Sequence, residues 1–113
     1  MSSCVFCNIV SREVPADIIY EDTDVLAFYG LHFMAPVHAL VIPKKHIESI
    51  MDIKDEDQSA IYRCHVSIQQ VAKKLGIAES GFRVITNIGK DGQQEVPHLH
   101  YHVIGGRELS WHM

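Results

Sequence analysis

Near its C-terminal end the chain contains a segment in which polar and apolar side chains alternate residue by residue. It runs through His98, Leu99, His100, Tyr101, His102 and Val103. Successive side chains of a β-strand point to opposite faces, so this period of two predicts a strand over residues 98–104, with three histidines on one face. A strand with one apolar face is stable only within a sheet that is covered on that side. The segment therefore commits the chain to a sheet-containing fold.

Other strands are predicted upstream of this segment. Residues 18–20 and 25–29 are rich in β-branched and aromatic side chains and flank a polar turn, which is typical of a hairpin. The apolar run over 38–42 predicts a buried strand that a proline closes, and residues 82–86 predict another. Together with the alternating segment, these runs supply five strands with short links between several of them.

One long helix is predicted in the middle of the chain. Apolar side chains recur at three- and four-residue steps from Ile61 to Leu75, which gives a helix one apolar face. Asp55 and Gln58 resemble a capping box at its start, and Gly76 suits its end. Residues 5–11 predict a short helical turn.

This order of elements indicates the fold class. Strands outnumber helices and are joined by hairpin-type links, which favours an α+β domain with an antiparallel sheet. A length of 113 residues suits one domain that spans residues 1–113.

Composition narrows the choice of partners and compartment. The formal charge of -4 and the pI of about 6.0 provide no basic field for a nucleic acid, so phosphate recognition must be local. No apolar run reaches the roughly 18–20 residues that cross a bilayer, so we expect no membrane association. The first residues lack the basic and apolar regions of a secretory signal, and we therefore expect a cytoplasmic protein.

The three alternating histidines permit two kinds of chemistry. They could bind a metal ion as an open site, or one imidazole could act as a nucleophile whose neighbours fix its tautomer and supply a proton. The spacing alone leaves both open. Asn87, Gly89, Gly92 and Gln94 lie just upstream, in a turn whose backbone N–H groups can approach a phosphate. An anion site beside an imidazole points to phosphoryl chemistry.

At these residues the chain resembles the histidine triad (HIT) superfamily. The resemblance lies in the His98-x-His100-x-His102 motif followed by two apolar residues, in segment 36–46 with His38 and His46, in Asn87 and Gly92, and in the tail from Gly105 to Trp111. It covers nearly the whole chain and is greatest for the histidine triad nucleotide-binding branch, the purine nucleoside phosphoramidases.

The resemblance implies a five-stranded antiparallel sheet with one long and one short helix, in a homodimer whose sheets join. It implies that His100 is the nucleophile, that His102 contacts the phosphate and assists proton transfer, and that His38 orients the triad. Nucleotide-binding positions carried over in the same way are Leu31, Asn87, Gln93, Gln94 and Glu95, together with His100 and His102. Close relatives of this branch bind the ribose with an Asp at the position of Gly30.

A second cluster is predicted from the cysteines. Cys4 and Cys7 have C-x-x-C spacing, which in a reducing compartment suits a metal clip or a redox pair, and two packed thiols are the alternative. His46 and one triad histidine would complete a Cys₂His₂ set. Related proteins with this N-terminal motif bind structural zinc, and their pattern implies Cys4, Cys7, His46 and His98 as ligands here.

These observations lead to one functional expectation and two alternatives. We expect a hydrolase that binds purine nucleotides and cleaves nucleoside phosphoramidates, which are AMP conjugates, through a nucleotidyl-histidine intermediate. A hydrolase of dinucleoside polyphosphates is the enzymatic alternative. A non-catalytic module that binds a purine nucleotide and zinc is the alternative of another class.

Overall fold

The computed structural model of the chain describes residues 2–30 and 34–111. Its helices and strands follow in the order α1 Val5–Val10, β1 Ile18–Glu21, β2 Val25–Tyr29, β3 Val37–Pro43, α2 Gln58–Lys74, β4 Phe82–Ile85 and β5 Tyr101–Gly105. Two short 3₁₀ turns, Ile50–Asp52 and Asp55–Asp57, precede α2. Among the described residues, no helix is both long and apolar enough to cross a membrane.

The strands form one antiparallel sheet in the order β1-β2-β3-β5-β4. β3 is the central strand, between β2 and β5, and β1 and β4 are the two edge strands. The predicted fold class is confirmed, because the structure is an α+β arrangement of five antiparallel strands with one long and one short helix.

The two helices cover opposite faces of the sheet. The cluster beneath α2 includes Leu99, Tyr101 and Val103, together with Cys64 and Val71 of the helix. The cluster beneath α1 contains the side chains Cys4, Phe6, Ile9, Leu26, Phe28, Leu40 and Ile42. The alternation predicted for the last strand therefore places its apolar side chains toward α2 and its histidines toward α1.

The predicted start of the last strand is wrong by three residues. β5 begins at Tyr101, where pairing with Val41 of β3 starts, and not at His98. His100 and Leu99 lie beyond this last pair, outside the ladder between β3 and β5. Leu99 N–H donates instead to Ile47 O at 2.6 Å. The backbone there remains extended enough to preserve the alternation of side chains.

The predicted cap of the long helix is also wrong in detail. α2 begins at Gln58, directly after Asp57. The Asp57 carboxylate accepts the backbone N–H of Lys54 at 2.9 Å and the ammonium of Lys45 at 2.6 Å. The lysine beside Asp57 holds the pKa of its carboxyl group below the ordinary value. The Asp57 side chain thus closes the 3₁₀ turn before α2 and makes no capping hydrogen bond to α2 itself.

Candidate functional site

The histidines of β3 and β5 meet on the face of the sheet that α1 covers. His38 pairs with Ile104 in the ladder, which makes His102 its diagonal neighbour on the same face. The ring centroids of His100 and His102 are 5.1 Å apart, and those of His38 and His102 are also 5.1 Å apart. The structure therefore brings the three residues predicted to be catalytic into one row, in the order His38, His102, His100.

The hydrogen bonds of His38 determine its tautomer and that of His102. The Met34 backbone N–H donates to His38 Nδ1 at 3.2 Å, so this nitrogen must carry a lone pair. The proton of neutral His38 is then on Nε2, which lies 2.9 Å from His102 Nδ1 and donates to it. Neutral His102 consequently carries its own proton on Nε2, at the opposite end of the ring from His38.

A backbone carbonyl determines the tautomer of His100. His100 Nδ1 lies 2.7 Å from the carbonyl oxygen of His98, and a carbonyl can only accept, so Nδ1 carries the proton. His100 Nε2 then has a free lone pair. Among the described residues, Ser67 Oγ is the one buried side-chain nitrogen or oxygen without a partner, so His100 Nε2 reaches solvent. This is the arrangement that a nucleophilic imidazole needs.

Burial keeps His100 and His102 neutral. Burial first, and then the positive charges that His100 and His38 carry when protonated, lower the pKa of His102 to about 4. Burial also lowers the pKa of His100, against the opposing effect of the hydrogen bond to His98 and the negative charge of Glu95. At neutral pH a lone pair is therefore present on His100.

The loop between β4 and β5 lies beside His100. Thr86 Oγ1 donates to His100 O at 2.9 Å, which fixes the start of the loop there. Asn87 Nδ2 donates to Gly92 O at 2.7 Å and closes the loop. Gln94 Nε2 donates to Glu48 O at 2.7 Å and to Val96 O at 3.1 Å. Since both of its amide hydrogens are used, the Gln94 side chain holds the loop in place rather than presenting a donor to a ligand.

Two backbone positions define the turn of this loop. A Cβ atom at Gly92 would lie 2.4 Å from Ile88 O, so only glycine fits there. Gln93 has a φ of 59°, in the left-handed region that side chains rarely adopt. Its side chain, like that of Glu95, is exposed. Gln93 and Glu95 thus lie on the solvent side of the loop. Leu31, which was also predicted to bind the nucleotide, lies outside the described residues.

The four predicted metal ligands converge beside the histidine row. Their ligand atoms all lie within 4.8 Å of one another. His98 Nδ1 lies 3.3 Å from Cys4 Sγ, 3.6 Å from Cys7 Sγ and 3.3 Å from His46 Nδ1. Cys7 Sγ lies 3.4 Å from His46 Nδ1. Two sulfur and two nitrogen atoms therefore surround one point.

These distances fit a tetrahedral zinc ion. Zinc–nitrogen bonds of about 2.0–2.1 Å and zinc–sulfur bonds of about 2.3 Å imply edges of about 3.3 Å between nitrogens and about 3.6 Å between nitrogen and sulfur. His98 Nε2 donates to Pro43 O at 2.8 Å, so its Nδ1 faces the cluster with a lone pair. Burial lowers the pKa of His98 to about 4, which keeps that lone pair available.

The sequence reasoning missed Phe6. Its ring centroid lies 5.1 Å from that of His100 and 5.9 Å from that of His98, so it touches both the predicted nucleophile and a predicted metal ligand. Its position between the two cysteines was the available signal. The roles of the Met34 N–H and the Pro43 carbonyl were also missed, because backbone groups leave no mark in a sequence.

Comparison with known proteins gives a consistent result. A family model described as the HIT domain matches residues 11–109. A HIT-like protein of Synechococcus elongatus, described as uncharacterized, is 42% identical over 107 residues, which cover 95% of this chain and 93% of that protein. The solved structure of a histidine triad protein from Clostridium difficile is 46% identical with a TM-score of 0.94, covering 100% of this chain and 98% of that chain. A HIT family hydrolase from Legionella pneumophila is 39% identical with a TM-score of 0.93, covering 96% and 97%.

Proposed function

Because the chain belongs to the HIT domain family, we propose that it is a hydrolase of purine nucleoside phosphoramidates, with His100 as the nucleophile. The observation that carries this proposal is the fixed tautomer of His100, whose Nδ1–H is held by a carbonyl 2.7 Å away. A relative that spans nearly the same length is named a HIT family hydrolase, which supports hydrolysis as the reaction class.

In the first step His100 Nε2 attacks the α-phosphorus, and the bond from phosphorus to the amine nitrogen breaks. The amine nitrogen leaves with the bonding electron pair and takes a proton. His102 is the donor of this proton: it takes up a second proton from solvent when the anionic phosphate is bound beside it, and it passes the Nε2 proton to the amine and becomes neutral again. The imidazolium character that develops on His100 is stabilised by the His98 carbonyl, which accepts from Nδ1.

In the second step water attacks the nucleotidyl-histidine. The bond between phosphorus and His100 Nε2 breaks, and its electron pair returns to the imidazole. The proton of the attacking water goes to the free Nε2 of His102, and the extra proton of His102 then returns to solvent, which restores the neutral imidazole. The products are a nucleoside monophosphate and the free amine.

The loop after β4 supplies the phosphate side of the proposed site. Gln94 holds the loop against the backbone of Glu48, and the Glu95 charge acts on His100 from this loop. Asn87 spans the loop through Gly92 and keeps its amide oxygen and second amide hydrogen for a ligand. Leu31 and Glu95 complete the nucleotide-binding set that the resemblance implies.

Kinetics of His100→Ala test this proposal. Removing the nucleophile should lower turnover of adenosine phosphoramidate by roughly three or more orders of magnitude, as for other enzymatic nucleophiles. AMP should still bind within about tenfold, or ~1.4 kcal/mol, because the loop remains. An unaltered protein that binds AMP tightly but does not turn over the phosphoramidate would instead identify a non-catalytic nucleotide-binding module.

We also propose that Cys4, Cys7, His46 and His98 hold a structural zinc ion. The fit of the interatomic distances to a tetrahedron supports this, as does the His98 Nε2–H bond that leaves Nδ1 as the ligand atom. When bound, zinc would cross-link the N-terminal segment to the sheet. The reaction steps proposed above do not involve it, since they use His100 and His102.

A homodimer with a joined sheet is the third part of the proposal. β4 is an edge strand, and Val84 on it is 42% exposed. An unpaired edge invites pairing with a second copy across a two-fold axis. Val84→Lys would place a charge on this exposed edge and oppose pairing with a second copy, so sedimentation should show a monomer for this variant and a dimer for the unaltered chain.

A further inference from the structure

The ring of Phe6 lies directly against the imidazole of the proposed nucleophile. The two centroids are 5.1 Å apart, and the planes are inclined by 84°, which is an edge-to-face arrangement. We propose that Phe6 is a positioning residue for His100 and that the Cys4–Cys7 segment holds its ring in this place. The inference rests on the proposed function, since it explains how the nucleophile is aimed.

His100 needs such support because its one hydrogen bond does not fix the plane of its ring. The second side-chain torsion of histidine is broad, so a bond from Nδ1 to the His98 carbonyl anchors one atom but lets the ring tilt about it. The Nε2 lone pair lies in the ring plane, and a tilt therefore turns it away from the phosphorus. The Phe6 ring blocks that tilt on one side, and an aromatic pair of this geometry is worth about 0.5–1.5 kcal/mol.

Phe6 can do this only if α1 is itself held. α1 has 6 residues, too few to be stable in isolation. Cys4 caps the helix through its sulfur, which accepts the Cys7 N–H at 3.4 Å, and both sulfurs lie within 3.6 Å of His98 Nδ1. The ring of Phe28, on β2, has its centroid 5.6 Å from that of Phe6 and supports it from the sheet. Phe6 is thus fixed between two sulfur anchors and is only 7% exposed.

The test compares Phe6→Met with Leu26→Met in the full chain. Methionine keeps much of the volume but removes the ring of Phe6, and Leu26 belongs to the same cluster and has no ring. For Phe6→Met we expect kcat to fall by about tenfold, which corresponds to ~1.4 kcal/mol, with KM within about twofold. Leu26→Met should keep kcat within about twofold of the unaltered chain. Phe6→Tyr, which retains the ring, should restore most of the kcat.

A second readout does not depend on turnover. Long-range ¹H–¹⁵N spectra of the imidazoles should show the His100 signals shifted and broadened in Phe6→Met, with those of His65 unchanged. If KM rises while kcat and the His100 signals stay the same, Phe6 contacts the substrate and the positioning role is refuted. If the unaltered chain has no phosphoramidase activity, the proposed function fails, and the spectra still decide whether Phe6 orders the imidazole.

Discussion

Replacing His38 by alanine tests whether the row of histidines acts as a unit. His38 is 4% exposed, accepts the Met34 N–H and donates to His102 Nδ1 at 2.9 Å. In His38→Ala the His102 Nδ1 atom loses its donor, which costs about 1–3 kcal/mol for a buried group. If the full cost is felt in the transition state, kcat falls roughly 5- to 150-fold, since each ~1.4 kcal/mol is a factor of ten.

The assay is single-turnover cleavage of a fluorogenic adenosine phosphoramidate at neutral pH. The matched control is His65→Ala, because His65 is an exposed histidine on α2 whose ring contacts Tyr101 on the other face of the sheet. Added imidazole should restore part of the lost activity by occupying the space that the His38 ring leaves. In the unaltered chain this ring packs closely against Gly30, where a Cβ atom would lie 3.3 Å from it. A His38→Ala rate within twofold of the unaltered protein would refute the reasoning.

Three further results are expected. Elemental analysis should find one zinc ion per chain. Cys4→Ser should bind no zinc and should have a lower melting temperature, whereas Cys64→Ala, in the core beneath α2, should retain the zinc. Burial lowers the pKa of His102 from 6.5 to about 4, so His102 takes up its proton in the unfolded chain before it does so in the folded one as the pH falls. The free energy of unfolding, measured with urea, should therefore decrease as the pH falls from 6.5 to about 4, and it should decrease less steeply in His102→Gln. Ser67→Ala should raise the free energy of unfolding by about 1 kcal/mol, because Ser67 Oγ is fully buried without a partner; an unchanged or lower value would mean that the hydroxyl is satisfied.

The fold could be predicted because its elements carry strong periodicities. Apolar positions spaced three and four residues apart gave α2, and the alternation from His98 to Val103 gave the two-faced arrangement of the last strand. The start of that strand could not be predicted, because it depends on where pairing with β3 begins, at Val41 and Tyr101. Strand bounds follow from pairing between distant segments, which no local pattern encodes.

The site was predictable in its residues but not in its geometry. The C-x-x-C spacing indicated a metal clip, the family resemblance implied the full set of four ligands, and the structure brings the four side chains together. The tautomers of His38 and His100 depend on backbone groups of Met34 and His98, whose positions appear only in the folded chain. The loop-holding role of Gln94 was likewise hidden, since its partners Glu48 and Val96 are set by the tertiary structure.

The central claim is that His100 forms a covalent bond with the α-phosphorus, and trapping this intermediate tests it most directly. The protein is mixed with an adenosine phosphoramidate, quenched within the first turnover under conditions that preserve a phosphorus–nitrogen bond, digested and sequenced by mass spectrometry. We predict one adenylyl group on the peptide that contains His100, located on that imidazole and lost in His100→Ala. Turnover that proceeds with the adduct on another residue would contradict the account. So would turnover with inversion of configuration at phosphorus and no histidine adduct, since this is the result of direct attack by water.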